Sequence, residues 1–233
     1  MRNLLVVLVL ACFLTPLFAA DEEAKGADNT KASSRVEAAG TVLDEIQGAP
    51  DQRIPEEILG SAECVAVVPS LLNGGFVFGG RYGRGVASCR THKGWSAPAF
   101  FMIGGGSFGL QICGQATDVV MLIMNKNGME HLLSSKFKLG GDASAAAGPV
   151  GRHAAADTDW KMRAQVLTYS RSRGLFAGLE LNGAVIKQDK DSTRDFYGRM
   201  VPFKTSLKGE VEAPKAAYPF LSTLAKWAQQ ASK

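Results

Sequence analysis

The sequence predicts an α+β fold, in which a curved, mostly antiparallel β-sheet, open and barrel-like, is flanked by N- and C-terminal helices. The first observation behind this prediction is a series of short segments rich in β-branched and aromatic residues, separated by Gly, Pro and Asn, between residues 64 and 186. The second is that apolar residues recur at helical spacing near both ends of the chain. The 233 residues show no repeat of fixed period and suffice for one domain with a real core.

The first 20 residues have the organisation of a secretory signal peptide. Arg2 precedes an apolar run over residues 4–18, and the small residues Ala19 and Ala20 follow it. The run is too short for a comfortable membrane span, which needs about 20 apolar residues. We therefore predict a signal peptide over residues 1–20 with cleavage near Ala19 or Ala20, and a protein that is exported, periplasmic or secreted.

Residues 21–32 are small and polar, which predicts a disordered leader into a single domain over residues 33–233. An amphipathic helix is predicted to begin at Ser33 and to end before Pro50. Its apolar residues at helical spacing are Val36, Ala39, Leu43 and Ile46. A second short helix is predicted over residues 55–61, because Pro55 is tolerated in a first turn.

The pattern then changes to short strands with turn residues between them, which indicates an antiparallel sheet. The strands predicted before the next helix are 64–68, 75–80, 83–90, 97–103, 107–113 and 119–124. A small helix carrying Leu132 follows, and strands return at residues 136–139, 165–173 and 176–186.

The remaining segments are predicted from single residues. Asp142 is predicted to cap one helical turn that stops at Gly148. Residues 187–214 are predicted to be irregular, and a last helix is predicted over 219–231.

Charge is distributed unevenly along the chain. Residues 21–60 hold ten acidic and four basic residues, whereas residues 61–233 hold 21 basic and 12 acidic residues. A basic body with an acidic N-terminal arm favours an anionic partner for the body.

Three cysteines lie outside the predicted signal peptide, at Cys64, Cys89 and Cys113. An odd number in apolar surroundings favours three buried, unpaired side chains. A Cys64–Cys89 disulfide that leaves one thiol over is the alternative.

Two patterns in the glycine-rich segment resemble catalytic motifs. Gly104, Gly106 and Gly109 fit the GxGxxG pattern of dinucleotide sites, and Ser107 fits the GxSxG pattern of hydrolases. Both sites need a helix directly after the motif, and the continuation LQICGQATDVVMLIMN predicts a strand instead. No histidine belongs to a metal-binding spacing. We therefore expect no enzymatic activity, no cofactor and no metal.

Basic residues are the better candidates for a site. Alternation along the strand 165–173 places Leu167, Tyr169, Arg171 and Arg173 on one face. An anion-binding patch results if the fold brings further basic residues beside them, and otherwise these are ordinary solvated faces. The further candidates are Arg81, Arg84, Lys136, Lys138 and Arg152.

Several long motifs resemble the SYLF domain family. They are GFVFGGRYGRGV (75–86), WSAPAF (95–100), GGSFGLQ (105–111), ATDVVMLIMN (116–125), KFKLGGDASAAAGPVGR (136–152) and YSRSRGLFAGLELNGA (169–184). The resemblance covers roughly residues 33–190, which leaves residues 191–233 as a C-terminal extension with a helix. It implies a lipid-binding domain, with phosphoinositide binding reported for eukaryotic members and actin association for some. It implies no established catalytic activity.

In eukaryotic members of the family the N-terminal amphipathic helix is implicated in membrane contact. Here the matching helix carries Glu37, Asp44 and Glu45 against only Arg35, which makes it a poor ligand for an anionic bilayer. We expect this helix to pack on the sheet. The predicted function is non-enzymatic binding of anionic lipid by the basic residues of the body, with no nucleic-acid partner. The alternative is a structural or protein-interaction module of the cell envelope.

Overall fold

A computed structural model describes residues 19–49, 53–75, 78–108, 115–150, 164–172, 175–178 and 181–230. The predicted signal peptide lies almost entirely outside these residues. The helices are α1 (Ala19–Gln47), α2 (Glu56–Ser61), α3 (Lys126–Leu133), α4 (Lys190–Tyr197), α5 (Phe203–Leu207) and α6 (Tyr218–Gln230), with a 3-10 turn over Lys215–Ala217. The strands are β1 (Cys64–Gly75), β2 (Phe78–Thr91), β3 (Gly94–Trp95), β4 (Ala99–Phe108), β5 (Gln115–Ile123), β6 (Lys136–Lys138), β7 (Ala145–Ala147), β8 (Val166–Ser172), β9 (Leu175–Gly178) and β10 (Val185–Gln188).

The N-terminal helix is longer than its apolar spacing predicts. It begins at Ala19 instead of Ser33, so the segment 21–32, which we expected to be a disordered leader, is helical. This segment is rich in Ala, Glu and Lys, which are strong helix formers. The helix packs closely on α6, because a Cβ placed on Gly40 would lie 3.0 Å from the carbonyl oxygen of Pro219.

Ten strands form one sheet that curls into a half-barrel, as the α+β prediction requires. Its order is β6-β10-β4-β2-β1-β5-β8-β7, with β3 paired to β2 and β9 paired to β8. Every pairing between these strands is antiparallel except that of β7 with β8. Strand β10, late in the sequence, lies between β6 and β4, so β6 becomes the edge strand of the sheet although it precedes β10 in the sequence.

The two faces of the sheet have separate apolar cores. One face, here called the outer face, is covered by α1, α4 and α6, and α1 buries the apolar residues that the helical spacing predicts. The sheet residues in this core include Val86, Phe100, Val120, Leu167 and Tyr169. The opposite face, here called the inner face, carries the second core, which includes Ala87, Phe101, Ile103, Met121 and Ile186. Alternation along each strand assigns every other residue to one of these faces.

Several segments differ from their predictions. Strand β2 runs without a break over two segments predicted as separate strands, because its glycines pair within the sheet instead of forming turns. Residues 145–147 form an edge strand where a helical turn was expected. Residues 187–214 contain α4 and α5, and Asp189 caps α4 by accepting a hydrogen bond from the Ser192 amide.

Cys64 and Cys89 form a disulfide, so the prediction of three unpaired cysteines was wrong for this pair. The two residues lie directly opposite each other in the β1–β2 ladder, and both are fully buried. Their register, which the spacing of cysteines does not contain, is what brings the two sulfurs together. Cys113 lies outside the described residues.

Candidate functional site

A row of side chains crosses four neighbouring strands on the outer face of the sheet. In the described registers Lys136 of β6 lies opposite Lys187 of β10, Lys187 opposite Met102 of β4, and Met102 opposite Arg84 of β2. Their neighbours along these strands, such as Phe137, Ile186 and Ile103, belong to the inner core, which fixes the row on the outer face. Because adjacent strands are about 4.8 Å apart, the whole row spans about 14 Å.

A second row runs beside the first. It joins Lys138, Val185, Gly104, Tyr82, Leu72 and Ala116, which face one another in register across β6, β10, β4, β2, β1 and β5. The surface formed by the two rows is called the outer-face patch. Its cations lie mainly at the β6–β10 edge, and its apolar side chains lie towards β1.

The cations of the outer-face patch are accessible to a ligand. Lys136, Lys138 and Lys187 are exposed, and none of the three has an ion-pair partner in the part of the chain that the structure describes. The side chain of Arg84 is 40 % exposed. Its Nε donates a 3.0 Å hydrogen bond to the hydroxyl of Tyr82.

A buried carboxylate, Asp189, pairs with Arg84, the residue of the first row that lies on β2. Asp189 is 1 % exposed, and its Oδ2 lies 3.4 Å from Nη1 of Arg84 and 3.9 Å from Nη1 of Arg35. Arg35 also donates a 2.8 Å hydrogen bond to Oγ of Ser192, whose hydroxyl donates to Asp189. One carboxylate thus faces two guanidinium groups, so this cluster keeps a net positive charge.

The two arginines respond differently to this environment. Burial lowers the pKa of Arg35, and Asp189 opposes that effect. The hydrogen bond that Arg84 donates to the Tyr82 hydroxyl raises the pKa of the more exposed Arg84, with a further contribution from Asp189. Both guanidinium groups therefore stay charged at neutral pH.

The strand-face prediction for β8 is correct in its alternation but wrong in its exposure. Leu167, Tyr169 and Arg171 do share one face, yet this face is the outer core beneath α1, and Tyr169 is fully buried. Burial raises the pKa of the Tyr169 hydroxyl. Tyr169 therefore packs in the core and does not contact a soluble ligand.

Arg171 is held by two carboxylates instead of facing solvent alone. It pairs with Glu45 at the end of α1 and lies 3.3 Å from Oδ2 of Asp118, its opposite residue on β5. Four strands separate it from β10, the strand of Lys187. Arg171 is thus neutralised and lies apart from the outer-face patch.

The other residues predicted to bind lipid fall into three groups: some lie in the patch, one lies on the inner face, and two lie outside the described residues. Arg84, Lys136 and Lys138 lie in the patch. Arg81 lies on the inner side of β2, where burial lowers its pKa. Arg152 and Arg173 lie outside the described residues.

Sequence reasoning missed Lys187, Leu72 and Tyr82. The alternation in AVIKQ, with Ile186 apolar and Lys187 polar, is the signal that places Lys187 on the solvent side of a strand. Leu72 and Tyr82 carry no comparable signal, because apolar residues in strands are usually buried.

The described part of the glycine motifs lies in a strand. β4 continues through Gly104 and Gly106 to Phe108, and the chain enters β5 at Gln115, so no helix follows the motif in the described residues. Across the described ranges no three His, Cys, Asp or Glu side chains are close enough to hold a metal ion. Nor is any helix in those ranges long and apolar enough to cross a bilayer.

Comparison with known proteins identifies the domain. The family described as Ysc84, Las17-binding protein actin regulator, matches residues 104–227. Similar proteins include LAS seventeen-binding protein 3 of Saccharomyces cerevisiae, 34 % identical over 199 residues, which are 84 % of this chain and 43 % of that protein.

Two further relatives carry SH3 domains in their names. An SH3 domain-containing protein of Schizosaccharomyces pombe is 37 % identical over 175 residues, covering 73 % of this chain and 40 % of the relative. The SH3 domain-containing YSC84-like protein 1 of Mus musculus is 32 % identical over 173 residues, covering 73 % and 51 % respectively. This chain therefore spans about half or less of the length of these relatives, and it belongs to the Ysc84 family, the family of the SYLF domain.

Proposed function

We propose that this chain is a non-enzymatic binding domain that docks on anionic lipid surfaces through the outer-face patch. The observation that carries the proposal is the in-register row from Lys136 through Lys187 to Arg84, which gathers cations from three separate strands on one exposed surface. The exposed lysines of this row have no carboxylate partner among the described residues, so their charge is available to headgroups.

The electrostatic contribution of the patch is too small to give tight membrane binding by itself. A basic residue near an anionic membrane surface contributes about 1 kcal/mol, so four of them give about 4 kcal/mol, which corresponds to about millimolar affinity. Charge alone is therefore a weak anchor. The apolar side chains that adjoin the cations are the feature that distinguishes this patch from a simple polybasic surface.

Co-sedimentation with vesicles tests the proposal. We expect the protein to bind vesicles of phosphatidylglycerol and phosphatidylcholine at low salt, and to bind pure phosphatidylcholine much less. The double variant K136E/K187E should weaken binding about tenfold or more, because each reversal removes an attraction and adds a repulsion.

A matched control has the same change in net charge away from the patch. K93E/K126E alters two exposed lysines that follow the C-terminal ends of β2 and β5, away from the patch residues of these strands. This variant should retain most of the binding. Equal losses in the two double variants would show that the patch is not the site. Failure of the wild-type protein to bind the anionic vesicles at low salt would refute the function.

A protein ligand is the second candidate function, and the comparisons favour it. The matched family is described as Las17-binding, and a relative bears that activity in its name. Mass spectrometry of the purified native protein separates the two candidates: co-purifying phospholipid supports the lipid proposal, whereas a defined protein partner with no lipid supports the second.

We also propose that the chain is exported, because of the signal-peptide organisation of residues 1–20. The Cys64–Cys89 disulfide supports this proposal, since disulfides persist in oxidising compartments. Intact-mass measurement of the protein from cell fractions should find a form that begins near Ala19 or Ala20 outside the cytoplasm. Recovery of the uncleaved chain from the cytoplasm alone would refute export.

A further inference from the structure

Part of the outer face of the sheet is not covered by the described helices. Leu72 and Tyr82 lie directly opposite each other on β1 and β2, and they are 54 % and 47 % exposed. Val185 and Met102, the neighbouring apolar side chains of the outer-face patch, are half-buried. Large apolar side chains that stay exposed side by side on a sheet indicate a surface with a partner.

Three glycines extend this bare surface beyond the apolar side chains. Gly74, Gly80 and Gly106 face one another in register across β1, β2 and β4, and all three are exposed. A Cβ placed on Gly74 or Gly106 would meet no atom within 4 Å. Among the described residues, therefore, no side chain stands between this part of the sheet and an apolar surface laid against it.

Tyr82 joins the bare surface to the cations. Its hydroxyl accepts a hydrogen bond from Arg84 and lies 3.6 Å from the sulfur of Met102, while nearly half of the residue remains exposed. A tyrosine with an apolar ring and a polar end beside a cation is typical of the boundary between headgroups and acyl chains.

We infer that the surface formed by Leu72, Tyr82 and the glycine row inserts into the interfacial layer of the bilayer, while the adjacent cations contact headgroups. This inference rests on the proposed function and specifies how the patch holds a membrane. Charge complementarity selects the occupant: the charged side chains in the two rows of the patch, Lys136, Lys138, Lys187 and Arg84, are all cations, and Asp189, the carboxylate that pairs with Arg84, is buried. An anionic bilayer offers phosphates and apolar chains in that same arrangement.

A fluorescent reporter tests insertion directly. Y82W should be quenched by lipids with brominated acyl chains in phosphatidylglycerol and phosphatidylcholine vesicles, beyond the quenching of the native tryptophans in the wild-type protein. The matched control is Y218W, at a residue that is 60 % exposed on α6, a helix that packs on α1, α2 and β3. Y218W should show no additional quenching.

Substitutions on the glycine row test the same inference through affinity. G106L should raise vesicle affinity about fivefold and make binding less sensitive to salt, because the added side chain enters the apolar layer. G106D should lower affinity by a similar factor. Both variants should fold, since the new Cβ meets no neighbour.

The outcomes separate this inference from the function on which it rests. Vesicle binding by Y82W without extra quenching, together with unchanged affinity in G106L, would refute insertion and leave electrostatic docking in place. Absence of vesicle binding by the wild-type protein would refute the proposed function itself. A stable dimer that G106D dissociates would instead assign the bare surface to a second copy and overturn the inference.

Discussion

Nη1 of Arg84 lies 3.4 Å from Oδ2 of Asp189, a carboxylate that is also 3.9 Å from Arg35. This relationship connects a residue of the outer-face patch to the start of α4 and to α1. A buried charge cluster therefore holds one residue of the patch, Arg84, against the start of α4.

Replacing Asp189 with Asn should lower the free energy of unfolding by about 3 kcal/mol. The variant leaves Arg35, whose side chain is only 14 % exposed, without its carboxylate, and an unpaired charge in a buried cluster is strongly destabilising. Urea denaturation measures the change. D191N is the control, because Asp191 is 81 % exposed and pairs with Arg194 at the surface, so it should cost under about 0.5 kcal/mol. Equal effects would contradict the role of the cluster.

Reduction of the Cys64–Cys89 disulfide should lower the free energy of unfolding by about 3 kcal/mol, because the bridge closes a loop with a sequence separation of 25. Thermal unfolding with and without dithiothreitol measures the effect. The variant C113S, which retains the bridge, should respond to dithiothreitol as the wild-type protein does. A melting temperature insensitive to the reductant would show that the two cysteines are not bridged.

Local patterns predicted the strands and their faces but not how the strands meet. Alternation correctly placed Leu167, Tyr169 and Arg171 on one face of β8. It did not show that α1 covers that face, because the docking of a helix depends on apolar surfaces far apart in the sequence. The same docking brings Glu45 to Arg171 and neutralises a residue that was predicted to bind an anion.

The candidate site depends on pairings that sequence alone does not specify. Lys136 and Lys187 are opposite each other only because β10 inserts between β6 and β4, out of sequential order. The glycine-rich segments identified the family, and two of their glycines, Gly80 and Gly106, form exposed sheet surface beside Gly74. These glycines contribute one continuous surface to the site because Gly74, Gly80 and Gly106 lie opposite one another in register.

Gly148 should not tolerate a side chain. A Cβ at this position would overlap the ring of Tyr169, which is fully buried. G148A should therefore cost about 2 kcal/mol of folding stability through overpacking. G106A is the control because its Cβ meets nothing, and it should be close to neutral. If chemical denaturation finds G148A as stable as G106A, the packing of Gly148 on Tyr169 is incorrect.

Tyr197 should make the fold sensitive to alkaline pH. Its hydroxyl donates a 2.6 Å hydrogen bond to the carbonyl of Pro98, and burial raises its pKa from 10.0 to about 12. Because the folded pKa exceeds the unfolded one, the stabilisation is complete below pH 10 and is lost as the pH rises through about 12.

The variant Y197F isolates this effect. Below pH 10 it should be less stable than the wild-type protein by about 1 kcal/mol, because it lacks the hydrogen bond to Pro98. Above pH 10 the wild-type protein alone loses the Tyr197 contribution, so the difference should shrink by about 1 kcal/mol per pH unit and then reverse. Tyr169, whose pKa burial also raises, titrates in both proteins and cancels in the comparison. Urea denaturation of the two proteins at a series of alkaline pH values measures the difference, and a gap that stays constant with pH would show that Tyr197 ionises equally well in the folded and unfolded chains.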